Sequence, residues 1–220
     1  MTVRLAIFDC DGTLVDGQHS ICTAMIRTFE GANLTPPERH RILDVVGLSL
    51  VPAIARLLPE ADAGLHIAMA ERYKTAFHDL RAEGAVHEPL FDGIAALIAR
   101  LDEKGWLLGI ATGKSDRGLA LVLGAHGLTH KFVTLQTADH HPSKPHPAML
   151  VQAMADAGAG PQTTVMIGDT SFDMEMAVAA GAKPLGVGWG YHAPDILTAA
   201  GAISIAMDSN ALYRHIAAHA

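Results

Sequence analysis

The chain has 220 residues, half of them apolar, and a formal net charge of −7 at neutral pH. That length suits one large domain or a domain carrying an insert, and the apolar half is ample for a packed core. The acidic balance and the lack of basic clusters speak against nucleic acid and anionic membrane as main partners. No apolar run reaches the ~18 residues that a membrane span requires.

The first predicted element is the short apolar run Leu5 to Phe8, read as a buried strand. The chain enters it at Val3, which leaves no room for a signal peptide, so a cytoplasmic protein is expected. Two carboxylates follow at once, Asp9 and Asp11, then the turn Gly12-Thr13. Period-2 geometry puts both carboxylates on one side of the chain. Like charges that close repel unless a cation lies between them or one holds a proton. The pair is costly as decoration and useful as chemistry: one carboxylate can attack an electrophile while the other moves a proton. Gly12 permits the tight turn and close approach to a ligand. The plain alternative is a capping or Asx turn at a strand end. Cys10 and Cys22 lack ligand spacing and read as small buried hydrophobes.

From residue 15 to about 86 helical patterns replace strands. Gln18 to Gly31 is amphipathic, with Ile21, Met25, Ile26 and Phe29 on one face. Pro36-Pro37-Glu38 opens a second helix that ends near Gly47. Leu50 to Leu58 is a third and Ala61 to Ala82 a long fourth. The segment 16–86 reads as a helical cap inserted into a catalytic core of residues 1–15 and 87–220. Hinges are expected at Val15-Asp16-Gly17 and Gly84-Ala85-Val86.

An α/β rhythm then begins. Helices are expected at Asp92–Lys104, Ser115–His126, Pro147–Ala157, Asp173–Ala180, Pro194–Ala200 and Asn210–Ala218. Strands are expected at Trp106–Ala111, Phe132–Leu135, Thr164–Ile167, Leu185–Val187 and Ile203–Ala206. The alternation implies an α/β fold, a doubly wound parallel sheet, with ligands bound beyond the carboxyl ends of its strands.

Three stretches fall on those strand ends. Thr112-Gly113 before a helix N-terminus makes an anion seat, since hydroxyl and backbone N–H groups point one way. Lys144, held among Pro142, Pro145 and Pro147, is placed rather than solvated, and its ammonium can neutralise a phosphoryl group. Lys114 is its rival: it sits on the seat itself, and a solvent-facing side chain is the other reading. Gly168-Asp169, with Asp173 four residues on, sets two acids near one helix start. One suits Mg²⁺ as a hard oxygen ligand, and the other can orient Lys144. His140, His141 and His146 lie among prolines and read as a loop, not a zinc site.

Asp9-Cys10-Asp11-Gly12-Thr13 after an N-terminal strand resembles the haloacid dehalogenase superfamily, phosphatase branch. The later stretches follow in the family's order, so the resemblance spans the chain. It implies a Rossmann-like core with a type-one helical cap and a Mg²⁺-dependent phosphomonoesterase acting on a small-molecule phosphate ester. On the resemblance, Asp9 is the nucleophile and Asp11 the acid/base. Thr112, Gly113 and Lys144 bind the phosphate. Asp9, the Asp11 carbonyl and Asp169 hold the metal, and Asp173 supports them. The ending Gly186 to Tyr191 is similar to phosphoglycolate phosphatases, which makes 2-phosphoglycolate a candidate substrate. Gly113 departs from the Asn that many relatives carry. A phosphomutase of the β-phosphoglucomutase type shares the same parts and is the alternative. A dehalogenase is disfavoured because its relatives lack the second Asp of the first motif. The cap loop Gly47-Leu48-Ser49 is expected near the site. Arg56 and Arg72 are read either as substrate-carboxylate binders or as plain surface.

Overall fold

The computed structural model describes residues 3–219. Its centre is a parallel sheet of six strands: β1 (Leu5–Phe8), β2 (Leu107–Ala111), β3 (Thr134–Gln136), β4 (Thr164–Gly168), β5 (Lys183–Val187) and β6 (Ser204–Ala206). The spatial order is β3-β2-β1-β4-β5-β6. The order therefore reverses beside β1, between β2 and β4, which is where open α/β sheets form a ligand crevice. Phe8 lies opposite Ile110 on one side and Ile167 on the other, and the Asp9 amide donates to the Ile167 carbonyl at 2.9 Å. The residues that follow β1, β2 and β4 thus emerge side by side.

Both faces of the sheet are covered, which is why β1 is an unbroken apolar run. Ala6 and Phe8 join one cluster with Ile94, Ile98 and Leu101 of α5 (Ile94–Glu103) and Leu212 and Ile216 of α10 (Ser209–Ala217). Leu5 and Ile7 join the opposite cluster with Met149 and Leu150 of α7 (Ala148–Ala157) and Met176 of α8 (Ser171–Ala179). Full burial of each large apolar side chain contributes about 1.5–3 kcal/mol. The remaining core helices are α6 (Asp116–Ala125), capped by the Ser115 hydroxyl, which accepts from the Gly118 amide at 3.2 Å, and α9 (Pro194–Ala199).

Between β1 and α5 stand α1 (Gln18–Glu30), α2 (Arg39–Leu43), α3 (Leu50–Leu57) and α4 (Ala63–Ala82). They bury a cluster of their own, with Ile21, Met25, Phe29, Ile42, Ile54 and Met69, and it takes in Phe172 from α8. The chain leaves and re-enters the sheet region along paired segments. The Asp16 amide donates to the Pro89 carbonyl at 2.8 Å and the Phe91 amide to the Leu14 carbonyl at 3.0 Å.

Several element ends shift by one or two residues, and three of the differences have a clear physical reason. The second helix is only Arg39–Leu43, because Glu38 is still extended and residues 44–47 turn into Gly47 at φ +97°. β3 sits one to two residues later than the apolar run suggests. Phe132 is packed into the core before the strand, and the buried Thr134 and Gln136 side chains donate to Asp156 of α7 at 2.7 Å each. A polar inner face hides such a strand from hydropathy. α8 starts two residues early because Thr170, not a later residue, is its N-cap, with Asp173 completing a capping box. Among the described residues no helix is long and apolar enough to cross a membrane.

Candidate active site

The sheet brings Asp9, Lys144, Asp169 and Asp173 together in one buried group. Asp9 and Asp169 come straight off the adjacent strands β1 and β4. The Lys144 ammonium, 2% exposed, lies 2.9 Å from Asp9 Oδ1 and 2.6 Å from Asp173 Oδ1. Asp173 is itself held on α8: its Oδ2 accepts from the Thr170 amide at 3.1 Å and the Thr170 hydroxyl at 2.7 Å. Asp169 Oδ1 accepts from the Thr13 hydroxyl at 2.8 Å and Oδ2 from the Tyr191 amide at 2.9 Å. The loop after β5 is tied down by Trp189 Nε1, which donates to the Thr13 carbonyl at 3.2 Å. Gly12, at φ +82°, has no room for a Cβ because the Asp169 carboxylate fills that space. The turn after β1 therefore closes directly on the acid after β4.

The electrostatics follow from burial. Desolvation pushes the Asp9 carboxyl up to about 7, although the Lys144 ammonium pulls the other way. Desolvation also drives Asp169 well above the ordinary carboxylate range, with repulsion from Asp9 and Asp173 adding to it. Burial alone would lower the Lys144 ammonium, but Asp173 and Asp9 outweigh it and hold it above its usual value. Carboxylate oxygens of Asp9, Asp169 and Asp173 lie within 4.8 Å of one another. Ionised together, the three carboxylates against one ammonium would carry two negative charges in excess, which is the repulsion that raises Asp169, and Asp9 Oδ2 has no hydrogen-bond partner. An orphaned oxygen donor and a two-charge excess fit a divalent cation.

Asp11, Thr112, Gly113 and Lys114 face a cavity of about 480 Å³, which also reaches Asp9 and runs between the strand ends and helices α1 to α4. The Thr112 hydroxyl is buried and accepts from the Lys114 amide at 3.3 Å. Asp11 does not join the group around Lys144. Its Oδ1 lies 3.1 Å from the Lys114 ammonium, which also meets Glu88 at 2.8 Å, and Glu88 in turn meets Arg81 of α4 at 2.8 Å. Burial raises the Asp11 carboxyl despite Lys114. The solvent-facing reading of Lys114 is therefore wrong: its charge is spent inside the protein. Glu88 escaped the sequence reading because nothing in His87-Glu88-Pro89 marks it. Only the pairing of segments 14–16 and 89–91 carries it to Asp11.

The other candidates sort cleanly. Arg56 stacks over the Phe172 ring at 4.7 Å and Arg72 donates to the Gly31 carbonyl at 3.1 Å; neither lines the cavity. Ser49 does line it, and its amide donates to Ser143 Oγ, next to Lys144, at 2.9 Å. His140 pairs with Asp116 and His141 with Gln136, apart from the acidic group. Both cysteines are free and buried, and burial followed by the nearby Asp11 pushes the Cys10 thiol far up, so it stays neutral.

A doubly wound parallel sheet with an aspartate–lysine centre at its switch point, and a helical insert directly after the first aspartate pair, defines a Rossmann-like α/β fold with its site at the strand ends. The family model for haloacid dehalogenase-like hydrolases matches residues 6–187, and the chain belongs to that family. It is 37% identical over 203 residues to the "probable phosphatase IndB" of Dickeya dadantii, covering 89% of this chain and 86% of that one. It is 30% identical to the N-acetylmuramic acid 6-phosphate phosphatase of Pseudomonas putida, over 89% and 87% of the two chains. The crystal structure of a hydrolase from Pseudomonas syringae shares the fold at a TM-score of 0.86 and 24% identity, covering 98% of each chain.

Proposed function

We propose that the chain is a Mg²⁺-dependent phosphomonoesterase that hydrolyses a small phosphate ester through an aspartyl-phosphate on Asp9. The observation that supports this most is the Asp9 carboxylate itself. One oxygen is paired with Lys144, while the other has no partner and the side chain reaches the cavity. One oxygen of the Asp9 carboxylate attacks phosphorus and the ester P–O bond breaks as Asp11 hands a proton to the departing alkoxide. Asp11, now a carboxylate, takes a proton from water as that water attacks phosphorus. The P–O bond to Asp9 breaks, and phosphate leaves. The Thr112 hydroxyl, the Gly113 amide and the Lys144 ammonium hold the phosphoryl oxygens. Lys144 also opposes the desolvation of the Asp9 carboxylate, and Asp173 keeps Lys144 in place.

Asp9, Asp169 and the main-chain carbonyl of Asp11 would hold Mg²⁺, with Asp173 in support. When bound, the ion supplies positive charge that offsets the carboxylates and draws electron density from the phosphoryl group. Residues 16–86 act as a cap over a core of 1–15 and 87–220, and the paired crossings at 14–16 and 89–91 are where it would hinge. Two buried free cysteines suit a reducing, cytoplasmic setting. A phosphomutase would use the same residues, and among those described no contact singles it out. Phosphate release from p-nitrophenyl phosphate tests the reading. Activity should be lost after chelation and return with Mg²⁺. Full activity in chelated protein would remove the metal from the proposal.

A further inference from the structure

Taking the phosphatase reading as its basis, we propose that the alcohol half of the substrate is uncharged and largely apolar, an aryl or alkyl group larger than glycolate. The argument is the chemistry of the cavity beyond the phosphate seat. The space of about 480 Å³ far exceeds a two-carbon acid and falls in the range of sites that enclose a whole small molecule. Its walls away from Asp9 and Thr112 are mostly apolar, with Ile21 and Met25 of α1, Val45 and Leu48 of the loop after α2, and Tyr73 and Phe77 of α4, while Lys74, His78 and Arg117 stand toward solvent. Tyr73 and Phe77 lie one helical turn apart, ring centres 5.9 Å apart and tilted at 42°, so they form an aromatic corner. The Lys114 ammonium lies 5.9 Å from the Phe77 ring centre, so the corner stands close to the reacting groups.

The buried charges along the cavity are already matched, and the remaining ones lie at its exposed rim. Among the described residues that line it, Lys114 serves Asp11 and Glu88, Arg81 serves Glu88, and Lys74 serves Glu71 at 2.7 Å. Arg117 is solvent-exposed on α6. A carboxylate such as that of 2-phosphoglycolate would lose its water here and gain no buried cation in return. A sugar would bring several hydroxyls against aliphatic walls and leave them unpaired. An apolar alcohol has the opposite balance, since the cavity offers it surface that water does not. One polar feature remains: Ser49 Oγ is buried, borders the cavity and has no partner. It can hold one hydrogen-bonding group on an otherwise apolar body, as ligand sites commonly do to fix orientation.

The test compares esters whose leaving groups are all primary alkoxides, so that leaving-group basicity does not set the order. Intact Mg²⁺-loaded protein is given 3-phenylpropyl phosphate, 2-phosphoglycolate and glycerol 1-phosphate, with p-nitrophenyl phosphate as the reference. The phenylpropyl ester should have the highest kcat/KM among the three alkyl esters by roughly tenfold or more, the gap lying mainly in KM. Phe77→Ala should narrow that gap, lowering kcat/KM for the phenylpropyl ester more than for 2-phosphoglycolate. In case that variant does not fold, 3-phenylpropanol and glycolate are compared as inhibitors of p-nitrophenyl phosphate hydrolysis by the native chain, where only the former should compete. If p-nitrophenyl phosphate is hydrolysed but 2-phosphoglycolate or glycerol 1-phosphate ranks first, the apolar assignment is overturned and the phosphatase reading stands. If no ester releases phosphate, both fall.

Discussion

Gly113 lies directly against the Gly47-Leu48 loop of the insert. A Cβ built there would meet the Leu48 carbonyl oxygen at 2.6 Å and that of Gly47 at 2.8 Å, both main-chain atoms that cannot swing away. The residue that departs from the resemblance is thus the one that lets the loop before α3 settle on Thr112. Gly113→Asn, which restores the side chain many relatives carry, should push that loop off. We expect a loss of about 1–3 kcal/mol in denaturant unfolding and a fall in kcat/KM; unchanged values in both would mean that the loop yields freely. Asp9 makes the second prediction at this scale. Asp9→Asn replaces a nucleophilic carboxylate by a carboxamide of the same shape. Turnover should drop on the order of a thousandfold or more while circular dichroism stays the same. Near-normal turnover would falsify the covalent route.

At the scale of elements, α4 is joined to the catalytic strand ends by charge rather than by packing. Arg81 on α4, Glu88 on the returning segment, Lys114 after β2 and Asp11 after β1 form one line of ion pairs. Burial opposes the Glu88 charge, yet Lys114 and then Arg81 hold its carboxyl below the usual range, and the same network holds Lys114 above its own. Glu88→Gln should leave the buried Lys114 ammonium with Asp11 alone and cost about 1–3 kcal/mol, less than for a fully isolated pair. Paired with Arg81→Met in a double-mutant cycle, the two losses should not add, because both cut the same line. Strict additivity would show that Arg81 and Glu88 act separately.

For the whole molecule, the excess of carboxylates at the switch point bears on folding as well as on catalysis. Binding Mg²⁺ to the native state at a hundredfold over its Kd should stabilise the chain by about 2.7 kcal/mol, or roughly 5–10 °C in Tm. The same ion should do little for Asp169→Asn, and an equal shift in both proteins would place the ion elsewhere. The insert makes the other prediction at this scale. Its two crossings are hydrogen-bonded side by side, so a short linker in place of 17–86 should let the sheet fold. That core should still hydrolyse p-nitrophenyl phosphate but lose its ranking among larger esters. A core that ranks them as the intact chain does would put specificity in loops such as 189–192.

What the sequence determined by itself was everything carried by short range and order. β1 was legible because a strand buried on both faces must be apolar throughout; the placing of Asp9, Asp11, Thr112 and Asp169 was legible because a parallel sheet delivers strand ends to one edge, and that of Lys144 from its flanking prolines. β3 was displaced because its inner face is polar, and the second helix was overdrawn because a left-handed glycine and an extended Glu38 bound it. The partners of Asp11 were beyond reach. Lys114, Glu88 and Arg81 come from three separate stretches, and a buried ion pair leaves no periodic trace in any of them. The cavity was equally invisible, since nothing in the sequence of α4 marks Tyr73 and Phe77, and only tertiary packing brings them to the space beside Asp9. Whether a charge is spent inside the protein or offered to a substrate depends on distances between segments far apart in the chain, and only the folded arrangement sets those distances.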